Sequence, residues 1–395
     1  MPYTLLAICL MLFAPLLPVQ GDELKEPLEA DTLPLEPVDR EANTVVSPFV
    51  MPPMLIPIPP AETPQAPPPG AQPILRTVKA YYVPYADDSF AAVRRHVGAV
   101  DIVAGQWLAV DGNGNLKEAP DFQRNDEVRQ IVHAAGKKVY SCVVNRNFDR
   151  AVLSSILSTA ARRTAAIDRI VAFVEKKGDD GVDLDFEGVR AGHRHGYHAF
   201  VKELAEKLHA RGKELSIALD VTWEGAPSPG LDYDLLAQHA DSLMPMTYTF
   251  GPGRTPHSPI HYLESAARIA MRSMDPSKFM IGIGVYGRDY NLKTGKRTHP
   301  NAAKLQAILA AHEPRVIFDK KTLTKRLSYK DSSGHSHVVH FDDSETIRAK
   351  LTRLSEKYGV CSVGFWRMGQ EDASLWDVID IATGRSRPAQ TASRP

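Results

Sequence analysis

The chain has 395 residues, 43% of them hydrophobic, enough for one large or two medium domains around a substantial core. Its 47 Lys and Arg are balanced by 47 Asp and Glu, so there is no basic footprint for nucleic acid or for an anionic membrane surface. The three cysteines, Cys9, Cys142 and Cys361, lack metal-ligand spacing; with Cys9 in the leading apolar segment, the other two read as buried thiols rather than a disulfide framework.

Residues 5–19 form an apolar run broken by Pro15 and Pro18, and Val19-Gln20-Gly21 places small residues for cleavage before Asp22. Residues 1–21 therefore read as an export signal. The run is short for a membrane span, and no Lys or Arg precedes it, which leaves an uncleaved anchor as the alternative. The expected location is periplasmic, cell-envelope or secreted, with no membrane insertion of the mature domain. Residues 22–76 are rich in Pro and poor in aromatic residues, as in 51–60 and 66–70, and read as an extended linker. The polar tail 385–395 reads as disordered.

Between these ends, strand-then-helix units imply a parallel sheet with helices outside. Strands are expected at 78–83, 102–107, 138–144, 181–186, 214–220, 242–248, 279–285 and 362–366. Helical periodicity occupies 121–135, 164–177, 197–211 and 261–272, and Gly136, Gly178 and Gly212 supply helix stops. Eight such units over 77–384 fit one (β/α)8 TIM barrel of the α/β class better than two domains. The stretch 290–344 exceeds a normal connection and reads as a small α+β insertion after the seventh strand.

The most informative stretch is Asp180-Gly181-Val182-Asp183-Leu184-Asp185-Phe186-Glu187. Strand residues two apart share a face, so Asp183, Asp185 and Glu187 project together while Val182, Leu184 and Phe186 project the other way. Carboxylates spaced about 7 Å apart raise at least one pKa, which keeps a proton donor charged with its proton near neutrality. In a barrel the apolar face packs on helices and Glu187 reaches the carboxyl rim, where substrate is met. Two blander readings compete: a half-solvated strand, and a hard-cation site, which needs more oxygen ligands than one strand offers. No metal and no cofactor is expected. His193, His195 and His198 lack zinc spacing and read as solvated, as do His335, His337 and His340.

Asp180 to Glu187 resembles the DGxDxDxE signature of glycoside hydrolase family 18. Pro245-Met246-Thr247-Tyr248, Gly284-Val285-Tyr286-Gly287-Arg288 and Gly364-Phe365-Trp366 resemble, in order, that family's later strand segments. The resemblance spans 77–381, and 80–83 and 366–372 are similar to bacterial members associated with polysaccharide deacetylases. It implies a retaining, substrate-assisted glycosidase acting on an N-acetylated polysaccharide or oligosaccharide: envelope glycan, exopolysaccharide or chitin-like. It further implies Glu187 as the acid, Asp185 orienting the acetamido group, Asp183 exchanging a proton with Asp185, and Tyr248 hydrogen-bonding the acetamido group. Trp366 would floor the sugar, Met246 would fill the wall, and Arg288 would join substrate binding. Trp107 and Trp223 either extend the sugar platform or pack against loops. Two departures stand out: Thr249 replaces the family's usual Asp, and Tyr140 to Asn145 replaces its Ser-x-Gly-Gly. The alternative function is a non-catalytic carbohydrate-binding protein on the same barrel.

Overall fold

The computed structural model describes residues 73–385 apart from 121, 252 and 253. The expected export signal, the linker up to residue 72 and the tail from 386 lie outside the described residues.

Eight parallel strands form the centre: β1 (Thr77–Tyr82), β2 (Ile102–Val110), β3 (Lys138–Asn145), β4 (Gly181–Asp185), β5 (Glu214–Leu219), β6 (Ser242–Pro245), β7 (Ile281–Gly284) and β8 (Ser362–Trp366). They pair in the order β6-β5-β4-β3-β2-β1-β8-β7. The seam between β6 and β7 is held by a parallel bridge, with Met280 N donating to Leu243 O at 3.0 Å, so the barrel is nearly closed. Its strands are buried on both faces, as expected where helices cover one face and side chains fill the other. Tyr81, Ala104, Cys142, Met244 and Met280 belong to the interior, whereas Val103, Val143, Leu184 and Ile217 join the larger layer beneath the helices.

The helix Ala160–Lys177 shows how sequence sets this outer layer. Thr159 caps it by accepting from Arg162 N at 3.3 Å, and Lys176 and Lys177 lie at the negative end of the dipole. Gly178 stops it in the left-handed conformation, φ 74°. Ile167, Ile170, Val171 and Val174 recur at three- and four-residue spacing and are buried against the sheet. The helix begins before the expected residue 164 because the cap at Thr159, not the apolar stripe, sets its start. Among the described residues no helix is long and apolar enough to cross a membrane.

After β7 the chain builds an antiparallel five-stranded sheet, ordered Arg297–Thr298, Gly287–Asn291, Ser336–Phe341, Thr324–Lys330 and Ile317–Asp319. The helix Ala302–His312 belongs to the same insertion, which has its own small core of Leu305, Leu327, Val339 and Phe341. This is the α+β insertion expected from the length of the connection. The chain then returns through the helix Ser344–Tyr358 to β8.

Candidate active site

On β4 the two faces separate as the alternation requires. Val182, Leu184 and Phe186 point into the outer layer, and Phe186 packs 5.4 Å from Phe200 and 6.4 Å from Tyr197, ring centre to ring centre. Asp183 and Asp185 point inward and are buried, at 0% and 3% exposure, while Glu187 lies just past the strand end and is half-buried.

The backbone at Glu187 is held from both sides. Asn145, the last residue of β3, accepts from Glu187 N at 2.9 Å and donates to Glu187 O at 3.3 Å. From the end of β5, Asp220 accepts from Gly188 N at 2.7 Å. Gly188 sits at φ 80°, and a Cβ there would lie 2.8 Å from Arg150 Cγ, so the turn that aims Glu187 needs glycine.

The carboxyl groups occupy unlike environments. Asp183 Oδ1 accepts from Lys79 Nζ at 2.5 Å and Oδ2 accepts from Tyr81 OH at 2.7 Å; Lys79 also donates to Ser216 Oγ at 2.8 Å. Asp185 Oδ1 has no hydrogen-bond partner, and the contact of Oδ2 with Cys142 Sγ is a long one at 3.9 Å. Burial first, then the charges of Asp183 and Asp220, pushes Asp185 up from 3.8 to about 7, against the opposing pull of Lys79 and Gln106. Burial, then Asp185 and Asp220, holds Glu187 well above the ordinary carboxylate range. A carboxyl raised in this way holds its proton more tightly than an exposed one and can deliver it to a leaving oxygen.

Around the acids stand Tyr248, Met246 and Trp366. Met246 N donates to Leu219 O at 3.0 Å, Thr247 Oγ1 to Gly282 O at 2.6 Å, and Tyr286 OH to Tyr248 O at 3.2 Å. Anchored this way, Met246 and Tyr248 turn into the barrel mouth, where each is 7% exposed. Burial, then Asp185, raises the Tyr248 phenol well above its usual value, so it stays a hydrogen-bond donor. Trp366 ends β8 with its ring centre 5.3 Å from that of Tyr81, tilted by 54°.

Residues 78–371 match the sequence model described as Glycosyl hydrolases family 18. The chain belongs to this family. It is a glycosidase. Over 315 residues it is 23% identical to an uncharacterized glycosylase, YvbX, of Bacillus subtilis, covering 75% of this chain and 88% of that one. Against a cortical fragment-lytic enzyme of Bacillus anthracis the identity is 26% over 279 residues, with 68% of this chain and 64% of the relative covered. The chain therefore spans less than two thirds of that relative's length. A chitinase of Chromobacterium violaceum superposes with a TM-score of 0.72 at 22% identity, covering 78% of this chain and 98% of that one, which shows the shared barrel.

Not every residue singled out by sequence reaches this family 18 site. Asp183, Asp185, Glu187, Tyr248, Met246 and Trp366 are brought together; Trp107 and Arg288 are not. Trp107 is 1% exposed in the layer between sheet and helices, donating to Ser141 Oγ at 2.7 Å beneath the Arg129 guanidinium, 4.0 Å from the ring. The register of β2 against β3 shifts between Gly105 and Leu108, and the ring folds back over Gly105, where a Cβ would meet it at 2.2 Å. Arg288 is buried and spends Nη1 on the carbonyls of Phe250, Gly251 and Thr255, at 2.8, 3.2 and 3.2 Å, so it fastens a loop rather than meeting a sugar. Trp223 is 55% exposed, in an open cleft of about 380 Å³ whose lining contains none of the three acids. Thr249 Oγ1 lies 3.4 Å from Tyr262 OH, leaving no acid at that position.

Lys79, Tyr81, Ser216, Asn145 and Asp220 escaped the sequence reading. Lys79 and Tyr81 carried a usable signal: a lysine and a tyrosine two apart in Val78-Lys79-Ala80-Tyr81-Tyr82-Val83 share one face of a strand too apolar to be solvated. Of the histidines, His193 Nε2 lies 2.9 Å from Ser154 Oγ, and among the described residues no group of three or more His, Cys, Asp or Glu could hold a metal ion.

Proposed function

We propose that this glycosidase cleaves N-acetylated glycans with retention of configuration, using the acetamido group of the bound sugar as nucleophile. The observation that carries the reading is the pairing of a proton-retaining Glu187 at the rim with a buried Asp185 whose Oδ1 lacks a partner. Glu187 gives its proton to the departing glycosidic oxygen while the acetamido oxygen closes on the anomeric carbon. Asp185 and Tyr248 orient the acetamido group, and the oxazolinium ion formed is opened by water, whose proton returns to Glu187. Trp366 supplies a flat apolar floor and Met246 a wall. Catalytic roles for Glu187, Asp185 and Tyr248 follow, with Asp183 supporting Asp185 from below on the same strand face; Trp107 and Arg288 support the barrel and are left out of sugar binding.

The segments that read as an export signal and a Pro-rich linker support a location outside the cytoplasm, and the name of the cortical fragment-lytic relative supports envelope glycan ahead of exopolysaccharide or chitin-like polymer. A second reading, a sugar-binding protein without turnover, is favoured by Thr249 at the position of the family's usual Asp. Mass spectrometry of products from peptidoglycan, chitin oligomers and poly-N-acetylglucosamine separates the two. Release of reducing ends from an N-acetylated glycan, but not from its deacetylated analogue, is the expected result. Equal cleavage of both analogues overturns the mechanism, and no cleavage of any overturns the enzyme reading.

A further inference from the structure

The barrel interior holds a feature that the acid–base scheme does not use. Lys79 is 0% exposed, and its ammonium lies 2.5 Å from Asp183 Oδ1 across the interior from β1 to β4. Burying an ion pair costs several kcal/mol of desolvation per ion, roughly offset by the attraction, so such a pair is a poor source of net stability. Its position is more telling. Asp183 lies two residues below Asp185 on the same face of β4, about 7 Å away; Ser216 Oγ accepts a second bond from Lys79, and Tyr81 OH donates to the other Asp183 oxygen.

We infer that Lys79 is a positioning residue for the acid cluster: its ammonium holds Asp183 as a fixed anion, leaving the exchangeable proton of the strand to Asp185 and Glu187. The consequence for turnover rests on the glycosidase reading above; the charge state itself does not. With a donor on each Asp183 oxygen, the proton goes to Asp185, whose Oδ1 is unpartnered. Glu187 then surrenders its proton beside a neutral neighbour rather than beside a second anion, which lowers the cost of the charge it acquires.

Other groups facing the cluster do not compete for this role. Tyr81 on β1, Tyr140 and Cys142 on β3, Tyr197 on the helix Arg194–His209 and Tyr248 beyond β6 are all raised, chiefly by burial, and stay neutral. Asp220, after β5, is likewise raised by burial and has one oxygen engaged by Gly188 N. Lys79 is thus the cation that faces Asp183, and it opposes the upward push on Asp185.

The test follows the aspartate carboxyl carbons by carbon-13 NMR in the full chain, with Asp183→Asn and Asp185→Asn for assignment. In the unmodified protein Asp185 should titrate near neutrality while the Asp183 signal stays at its ionised position. In Lys79→Met a second step should appear at Asp183, and the basic limb of kcat/KM should move to higher pH by about one unit, since removing a cation makes neighbouring acids hold protons more tightly. Should Lys79→Met fail to fold, Tyr81→Phe removes the second donor to Asp183 and leaves the ion pair; a smaller shift in the same direction is expected. Titration of Asp183 near neutrality in the unmodified protein, or unmoved signals and limb in the folded variant, overturns the inference. A protein that cuts no glycan yet shows the split titration overturns the enzyme reading alone.

Discussion

Two buried lysine–aspartate pairs in this chain look alike and sit in unlike places. Lys79–Asp183 and Lys350–Asp342 are both fully buried, both 2.5 Å apart, and each lysine has a further oxygen acceptor, Ser216 Oγ at 2.8 Å or Ser258 O at 2.7 Å. Lys350 lies on the helix Ser344–Tyr358, and Asp342 follows the last strand of the insertion; the pair ties that helix to the loop carrying Ser258. Its titratable neighbours are His257, 3.8 Å from Asp342 and held well below its usual value by burial, and Asp343, which caps the helix; neither belongs to the acid cluster of β4. Lys79–Asp183 instead lies directly beneath Asp185 and Glu187. Equal geometry thus leads to different uses, because what a buried charge does depends on which titratable groups share its low-dielectric surroundings.

The largest expected effect concerns the acids above the first pair. Glu187→Gln should cut kcat by about 10²–10⁴-fold with glycan binding retained, because the amide cannot give up a proton; turnover rates alongside a binding isotherm check this, and an active variant would remove the reason for setting the two pairs apart. Next, Lys350→Met should cost about 3–5 kcal/mol by stranding Asp342 unpaired. Denaturant unfolding measures that loss, and the basic limb of kcat/KM should stay in place, because no catalytic acid lies beside this pair. A displaced limb would erase the contrast.

Asp185→Asn gives a smaller effect with a definite sign. Folding raises Asp185 from 3.8 to about 7, so in that window the folded chain holds a proton that the unfolded chain has released. The contribution of this group is intact below the unfolded value and declines as pH rises toward the folded one. The amide variant should therefore melt higher than the unmodified protein at about pH 8 and equally near pH 4, as differential scanning calorimetry can show. The smallest effect is Trp366→Ala, expected to raise KM about 3–10-fold through the lost stacking surface with little change in Tm. Trp107→Ala should do the reverse, costing about 3–5 kcal/mol of stability and sparing KM.

Much of this was legible in one dimension. The period-two acids on β4 announced which side chains face inward, and the outward Phe186 meets Phe200 and Tyr197 as that alternation demands. Helix stops at Gly178 and a cap at Thr159 are local events, set by neighbouring residues. Trp107 was illegible for a physical reason: a register shift between Gly105 and Leu108 turns its ring, and a bulge depends on the partner strand. Arg288 misled similarly, since its acceptors are carbonyls of a loop 33 to 38 residues away, and backbone oxygens leave no mark in the sequence.

The sequence by itself determined an eight-strand barrel with an insertion, an acidic strand whose carboxyls share one face, and membership of a glycosidase family, because periodicity, caps and motif spacing act over a few residues. Tertiary structure alone decided how those carboxyls differ. Lys79 and Asp183 stand 104 positions apart along the chain and meet only because the barrel curves β1 round to face β4. Burial, which no residue type encodes, then leaves one aspartate paired and lifts its neighbour to about 7.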